Sequence, residues 1–205
     1  EREKWNIKTK YRVIPRDFVK LSNGKVVLEI EEVGISTSTL SFKEYVDLRL
    51  LALVVKVTKT GLVFDPILKF LREQNLDVYD LVYNMTYRNS HASENIKKLF
   101  DRFRKSTIDE LWDSPEEIER NYQDDAEYQK LLDGVVGQNV VLYYHTIILT
   151  RYISDWTEYI LDAAKKLIVD KKKVFDGELE EQFVAVANYC RGVGHNVLGK
   201  DRMQT

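Results

Sequence analysis

Signals for the start of a helix recur along this chain and constrain its fold more than any other feature. Residues 41–44 (Ser-Phe-Lys-Glu) fit a capping box, in which the hydroxyl of Ser41 and the carboxylate of Glu44 each accept from a free backbone N–H. Two later segments place a capping side chain before a proline, which is favoured at the first helical position. Because the chain has only 9 Gly and 3 Pro, these starts predict a mostly α-helical fold. The proline-containing starts are Asp65-Pro66 and Ser114-Pro115, and Asp77 is a further cap; Asp124 and Asp125 precede another apolar segment, Tyr128 to Leu132.

The first 40 residues follow a different pattern. Val26–Ile35 is rich in β-branched residues and partly alternating, and Asn23-Gly24 separates it from the apolar run Phe18–Leu21. Asn-Gly between apolar runs is a strong hairpin signal, because both residues tolerate a positive φ. Tyr11–Ile14 is predicted as another strand, ended by Pro15. A unit of two or three strands is marginally stable alone, so we expect it to pair or pack with something else, which can lie outside this chain.

From residue 41 onward the apolar residues recur at helical spacing. The predicted fold class is therefore mostly α, a helical bundle with a small N-terminal β-hairpin appendage. The boundary is predicted near residues 38–40, so that 1–40 is a β appendage, the end of an upstream domain, and 41–205 is an α-helical C-terminal domain. The predicted helices are Phe42 to about Thr60 with a stop at Gly61, Ile67–Asn75, Val78–Arg88, one from Ser93 through Trp112, two short ones after Ser114 and Asp124, Gln138–Lys171, and Glu178–Arg191 with a stop at Gly192.

Charge and cysteine content exclude several classes. The chain has 31 Lys and Arg against 33 Asp and Glu, a net charge of −2, so no nucleic acid is expected as a partner. A single cysteine, Cys190, cannot form an intrachain disulfide and is typical of a reducing, cytoplasmic compartment. The longest aliphatic run, residues 50–55, is far short of the ~20 residues of a membrane span. Because the chain begins at Glu1 and has no capped end, we expect a piece of a longer protein.

Motifs that carry chemistry are not found. His91, His145 and His195 are far apart, and no metal-binding or phosphate-binding motif contains them, so no catalytic, cofactor-binding or metal residue is assigned. Cys190 and His195 lie five residues apart, on either side of the predicted helix end. A buried, inert thiol is the favoured interpretation of Cys190, and a small enzyme that uses this pair is the least favoured one.

One face of the predicted long helix is the candidate binding surface. Tyr, Trp and Arg are enriched at interfaces, and they cluster on this segment. Two interpretations stay open: a core stripe whose polar tips reach a partner, or an exposed contact surface for a ligand or protein. The spacing of four, three, four and three residues places His145, Leu149, Tyr152, Trp156 and Tyr159 on one face; the ligand- or partner-binding candidates are His145, Arg151, Asp155 and Trp156.

Two segments carry a family resemblance. Residues 13–18 (Val-Ile-Pro-Arg-Asp-Phe) and 31–49, which include Ser-Thr-Ser-Thr-Leu-Ser-Phe-Lys-Glu-Tyr, resemble the region that follows the catalytic barrel in cobalamin (B12)-binding radical SAM proteins. The resemblance implies a parent enzyme with an iron–sulfur cluster, S-adenosylmethionine and cobalamin in upstream domains. Its cluster motif needs three cysteines, and this chain has only Cys190, so no cofactor residue can be assigned here.

The function implied by the resemblance is an accessory, non-catalytic C-terminal domain that contacts the barrel or the substrate. Its partners would be the upstream domains of the parent chain, and this fragment would hold no cofactor itself. The alternative is a self-contained helical protein-interaction or ligand-binding module. The oligomeric state is not predicted.

Overall fold

The structure, a computed structural model, describes residues 1–59, 63–172 and 175–195, with the side chain of His195 left out. It confirms the predicted fold class, a mostly helical protein with an antiparallel hairpin near its N-terminus. The predicted stop at Gly61 and the residues after His195 lie outside the described ranges. The described elements are α1 (Arg2–Trp5), β1 (Lys8–Lys20), β2 (Val26–Ser36), α2 (Phe42–Lys59), α3 (Asp65–Glu73), α4 (Val78–Tyr87), α5 (Glu94–Asp109), α6 (Pro115–Tyr122), α7 (Asp125–Leu132), α8 (Val140–Arg151), α9 (Ile153–Lys172) and α10 (Gly177–His195).

The chain folds into two compact units. The first comprises Glu1–Arg49 and Arg102–Tyr143, and the second comprises Leu50–Asp101 and Tyr144–Thr205. The predicted boundary near residue 40 falls inside the first unit. The hairpin therefore shares its unit with helices from much later in the chain.

The hairpin has two strands among the residues that the structure describes, joined by a tight turn in which Gly24 has a φ of 83°. Pro15 was expected to end a strand, and this is wrong: β1 continues through it. The ladder instead shifts register between Val13 and Phe18, where four residues of β1 face one residue of β2. Arg16 in this bulge has a φ of 71°, in the left-handed region. A bulge accommodates the proline, which has no N–H to give to a ladder.

The core of the first unit forms between the hairpin and two short helices. Val13 of β1 and Val26 of β2 are 6% and 3% exposed, and they pack with buried side chains of α6 and α7. Partly buried residues of both strands border this core, so the predicted need of the hairpin for packing is met in part by its own chain. The helical members are Ile118, Tyr122, Tyr128 and Leu131, and the bordering residues include Tyr11, Phe18, Leu28, Ile30 and Trp112.

The predicted helix starts are largely confirmed. Ser41 and Glu44 form the capping box: the backbone N–H of Ser41 donates to the Glu44 carboxylate at 2.7 Å, and that of Glu44 donates to the Ser41 hydroxyl at 3.2 Å. Asp65 is not a cap, because Phe64 occupies the capping position of α3 and Asp65 lies in its first turn. The side chains of Asp77 and Ser114 cap α4 and α6 as predicted, and the structure adds Asp124 as the cap of α7.

Three helix ends differ from the prediction. The segment predicted as one helix over 138–171 is two helices, α8 and α9, separated by a bend at Tyr152. Helical hydrogen bonds from Tyr152 N to Ile148 O and from Trp156 N to Tyr152 O are retained at the bend. The helix expected to reach Trp112 ends at Asp109. The last helix continues past Gly192 to His195. A Cβ on Gly194 would lie 2.9 Å from the Thr157 hydroxyl, so this glycine permits close approach of α10 to α9.

Candidate functional site at the edge of strand β2

The outer edge of β2 is the part of the first unit where backbone groups face away from the hairpin. Tyr11 of β1 fixes the phase of the ladder: its N–H donates to Trp112 O at 2.9 Å and its carbonyl accepts from Trp112 N at 2.8 Å. The backbone of Tyr11 therefore faces away from β2. Tyr11 is paired with Glu32. In an antiparallel ladder the backbone N–H and C=O groups of two paired residues either bond to each other or both point away from each other. The backbone of Glu32 thus faces away from β1.

A side chain fixes the same phase at the other end of β2. The amide of Gln123, just after α6, accepts from Val26 N at 3.0 Å and donates to Val26 O at 3.0 Å. Gln123 thus takes the place of a neighbouring strand at Val26. Because outward-facing residues alternate, Leu28, Ile30 and Gly34 also turn their N–H and C=O groups away from β1.

This edge is open beyond Val26. No hydrogen bond of the backbone of Leu28, Ile30 or Gly34 to a group outside the ladder occurs among the residues that the structure describes. Backbone donors and acceptors are strong, obligatory hydrogen-bonding groups, and a row of them at a sheet edge is a template for another strand. The edge of β1, in contrast, is bridged by Trp112 at Tyr11.

Three glutamates of β2 have different electrostatic surroundings. Glu31 pairs with Arg12, and Glu32 accepts from Arg2 at 2.7 Å and 2.6 Å. The hydrogen bonds from Arg2 are the largest cause of a pKa of Glu32 below its usual value. Glu29 is exposed and has no ion pair within the described part of the chain.

A half-buried ionic cluster links the hairpin to α2 and to the segment after α5. Glu110 accepts from Arg12 at 3.0 Å and from Arg49 of α2 at 3.2 Å, and its side chain is 12% exposed. Burial raises the pKa of Glu110, and the two guanidinium groups oppose this without cancelling it. Removing one member would leave a half-buried charge poorly compensated, so the cluster favours the observed position of β1 beside α2.

Of the residues predicted from the sequence, Trp156 and Tyr159 lie in the core of the second unit. Trp156 is 0% exposed, and its ring meets the rings of Phe100 and Tyr159 edge-to-face at 6.1 Å and 6.0 Å. The Tyr159 hydroxyl donates to Met85 O, and burial raises the pKa of that hydroxyl. For these two residues the burial favours the interpretation as a core stripe over that as a contact surface.

The remaining binding candidates, His145, Arg151 and Asp155, have different surroundings from one another. His145 is 7% exposed, and neither of its ring nitrogens has a hydrogen-bond partner among the residues that the structure describes. Burial, with a smaller effect of Lys56, lowers the pKa of its imidazole. Asp155 accepts from Asn95 Nδ2 at 3.1 Å and ties the start of α9 to the start of α5. Arg151 is exposed. The structure thus brings the four candidates near one helical bend but gives them no common surface, and their role in binding stays a prediction.

Cys190 is 0% exposed, and burial raises the pKa of its thiol, as expected for an inert core cysteine. Cys190 and His195 lie on one helix rather than across a helix end. In the described ranges, no group of three or more His, Cys, Asp or Glu is arranged to hold a metal ion.

An exposed row of tyrosines on α4 was not predicted from the sequence. Tyr79, Tyr83 and Tyr87 follow each other at four-residue spacing, with ring centroids 5.9 Å and 4.8 Å apart. The Arg88 guanidinium lies 5.8 Å from the Tyr83 ring. The i, i+4 spacing was visible in the sequence, but its exposure depended on which face of α4 the second unit buries.

No family model, curated protein or solved structure matches this chain. Across residues 1–59, 63–172 and 175–195, no helix combines the length and the apolar character that a membrane crossing requires.

Proposed function

We propose that this chain is a protein-interaction module that binds an extended segment of a partner along the open edge of β2. The observation that carries the proposal is the outward phase of Leu28, Ile30 and Glu32, fixed independently by the Tyr11–Trp112 bridge and by the Gln123–Val26 pair. Strand addition takes its affinity from backbone hydrogen bonds and its specificity from the alternate side chains.

The packing of the hairpin supports the proposal. Binding costs less when the receptor strand is already ordered. The strand β2 is paired with β1, the two strands pack through Val26 and Val13, and β1 contacts Glu110 through Arg12. Gln123 also supports the proposal. Its amide bonds to both the N–H and the C=O of Val26, the first outward-facing residue of β2, as a partner strand would bond to those of Leu28 and Ile30.

A peptide selection tests the proposal. Eight-residue peptides of random sequence are displayed and selected on the immobilised protein, and the best binder is resynthesised with single N-methyl groups. Methylation removes one N–H donor at a time. We expect at least a tenfold loss of affinity for methylation at alternate positions, those whose N–H faces β2, and little change at the positions between them. Equal loss at every position, or no loss at any, contradicts strand addition.

The family resemblance supports a second candidate, an accessory, non-catalytic domain of a B12-binding radical SAM enzyme. The residues that carry the resemblance lie in the hairpin and just after it. Pro15 and Arg16 are in the bulge of β1, and Ser41 and Glu44 form the capping box of α2. Under this proposal the upstream domains of the parent chain, rather than a separate protein, supply the strand or contact the hairpin.

The gene sequence upstream of Glu1 tests this second candidate. It predicts a C-x-x-x-C-x-x-C motif within the preceding few hundred residues, and a purified fragment that retains neither iron nor S-adenosylmethionine. An upstream sequence without that motif, or iron retained by the fragment itself, contradicts it.

A further inference from the structure

We infer that the segment bound by β2 is a basic, alternating strand, with Lys or Arg opposite Glu29 between two apolar residues opposite Leu28 and Ile30. This inference rests on the proposed function, since it assigns the chemistry of the occupant of the same edge. It follows from the two faces of β2, which differ in what they offer to a neighbour.

One face of β2 favours apolar side chains on the bound strand. Leu28 and Ile30 are half-buried and lie at the border of the core of the first unit. Residues directly opposite each other on neighbouring strands project to the same face, 4.5–5.5 Å apart at their Cβ atoms in a general antiparallel pair. Two apolar residues of a bound strand would therefore extend this core and remove the exposed parts of Leu28 and Ile30 from water.

The other face of β2 favours a cationic side chain on the bound strand. Glu29 projects opposite to Leu28 and Ile30, is exposed, and has no ion pair among the described residues. Its two acidic neighbours are already neutralised, Glu31 by Arg12 and Glu32 by Arg2. The unbalanced charge thus lies at one position, directly between the two apolar ones. Cross-strand pairs of opposite charge are stabilising, and like charges placed opposite each other are destabilising.

A second copy of this chain fits the edge less well. An antiparallel pairing of two β2 strands centred on Ile30 would place Glu29 of each copy opposite Glu31 of the other. In this register the unpaired carboxylate of Glu29 would meet Glu31, which already pairs with Arg12, so the second copy would bring no cation to Glu29. Charge complementarity therefore favours a partner segment with a Lys or Arg at its centre over self-association.

The same peptide selection, repeated on Glu29→Lys, tests the inference. The matched control is Glu181→Lys, which makes the same change of charge at an exposed position of α10 in the second unit. On the native protein and on the control we expect enrichment of Lys or Arg between two apolar residues. On Glu29→Lys we expect enrichment of Asp or Glu at that position. For one resynthesised peptide, changing the central Lys to Glu should weaken binding to the native protein about threefold and strengthen binding to Glu29→Lys.

The outcomes separate the inference from the function on which it depends. Selected peptides that lose affinity on alternate N-methylation but have the same central residue on native and Glu29→Lys protein overturn the inference and leave strand addition in place. Peptides insensitive to the position of methylation overturn both. Light scattering tests the remaining occupant, a second copy of the chain. If it detects a dimer that the peptides dissociate and whose stability Glu29→Lys changes, a second copy is the occupant and the inference is overturned.

Discussion

Truncation of Trp156 distinguishes a core residue from a contact residue. The side chain is fully buried, and a buried aromatic side chain removes roughly 150–250 Å² from water, worth about 25 cal/mol per Å². Its edge-to-face contacts with Phe100 and Tyr159 add to this. The indole N–H has no hydrogen-bond partner within the described part of the chain, and an unsatisfied buried donor costs about 1–3 kcal/mol, so its removal offsets part of this loss. We therefore expect Trp156→Ala to lower the free energy of unfolding by about 3–5 kcal/mol.

The assay is urea unfolding followed by far-UV circular dichroism. With a urea dependence of about 2 kcal/mol per molar, the midpoint should fall by roughly 1.5–2.5 M. Trp156→Phe should lose less than half as much, because it keeps a ring in the same contacts and removes the unpaired N–H. The matched control is Tyr189→Ala, since Tyr189 is an aromatic of the same unit that is 60% exposed; its effect should stay within about 0.5 kcal/mol.

The reasoning is refuted if Trp156→Ala leaves the urea midpoint within about 0.3 M of the native value, a shift that corresponds to less than 1 kcal/mol. A contact role predicts that result, together with loss of partner binding in Trp156→Ala and Arg151→Ala at unchanged stability.

Two further predictions concern single groups. The backbone and hydroxyl of Ser41 hold the pKa of Glu44 below its usual value of about 4.3, so the capping box should stabilise the fold above that pH and lose its contribution as pH falls through the lowered pKa. Melting temperatures of native protein and Glu44→Gln should therefore converge between pH 5 and pH 2, and a gap that stays constant across this range contradicts the assignment. Because Cys190 is buried with a raised thiol pKa, iodoacetamide at neutral pH should label it only after unfolding in urea, as followed by mass spectrometry. Rapid labelling of the folded protein would restore the hypothesis of a reactive cysteine.

The sequence predicted those features whose cause lies within a few residues. Ser41 caps the helix that contains Glu44, three residues later, and the turn at Gly24 depends on adjacent residues. It did not predict the bend at Tyr152, because the apolar period runs through that position without interruption. The segment also has no proline or glycine near Tyr152, the residues at which helices commonly kink, so no local signal marks the bend.

The candidate site was harder to predict because its residues meet across long stretches of chain. Gln123 pairs with Val26, 97 residues away, and Trp112 bridges Tyr11, so neither partner has a local signal. The prediction that the hairpin must pack with something else was derived from its small size, and the core with α6 and α7 supplies part of that packing. Which edge of the hairpin stays open depended on the phase of the ladder, which only the tertiary contacts fix.

Amide hydrogen exchange along β2, measured residue by residue by NMR with and without a selected peptide, shows whether the edge of β2 is open and whether a partner strand pairs with it. In the free protein the amides of Leu28 and Ile30 should exchange fast, while those of Val27 and Glu31, which face β1, should be protected. Binding of the peptide should then slow Leu28 and Ile30 by at least tenfold. Protection of Leu28 and Ile30 already in the free protein, or no change in their exchange when the peptide is bound, would contradict an open edge that binds a partner strand.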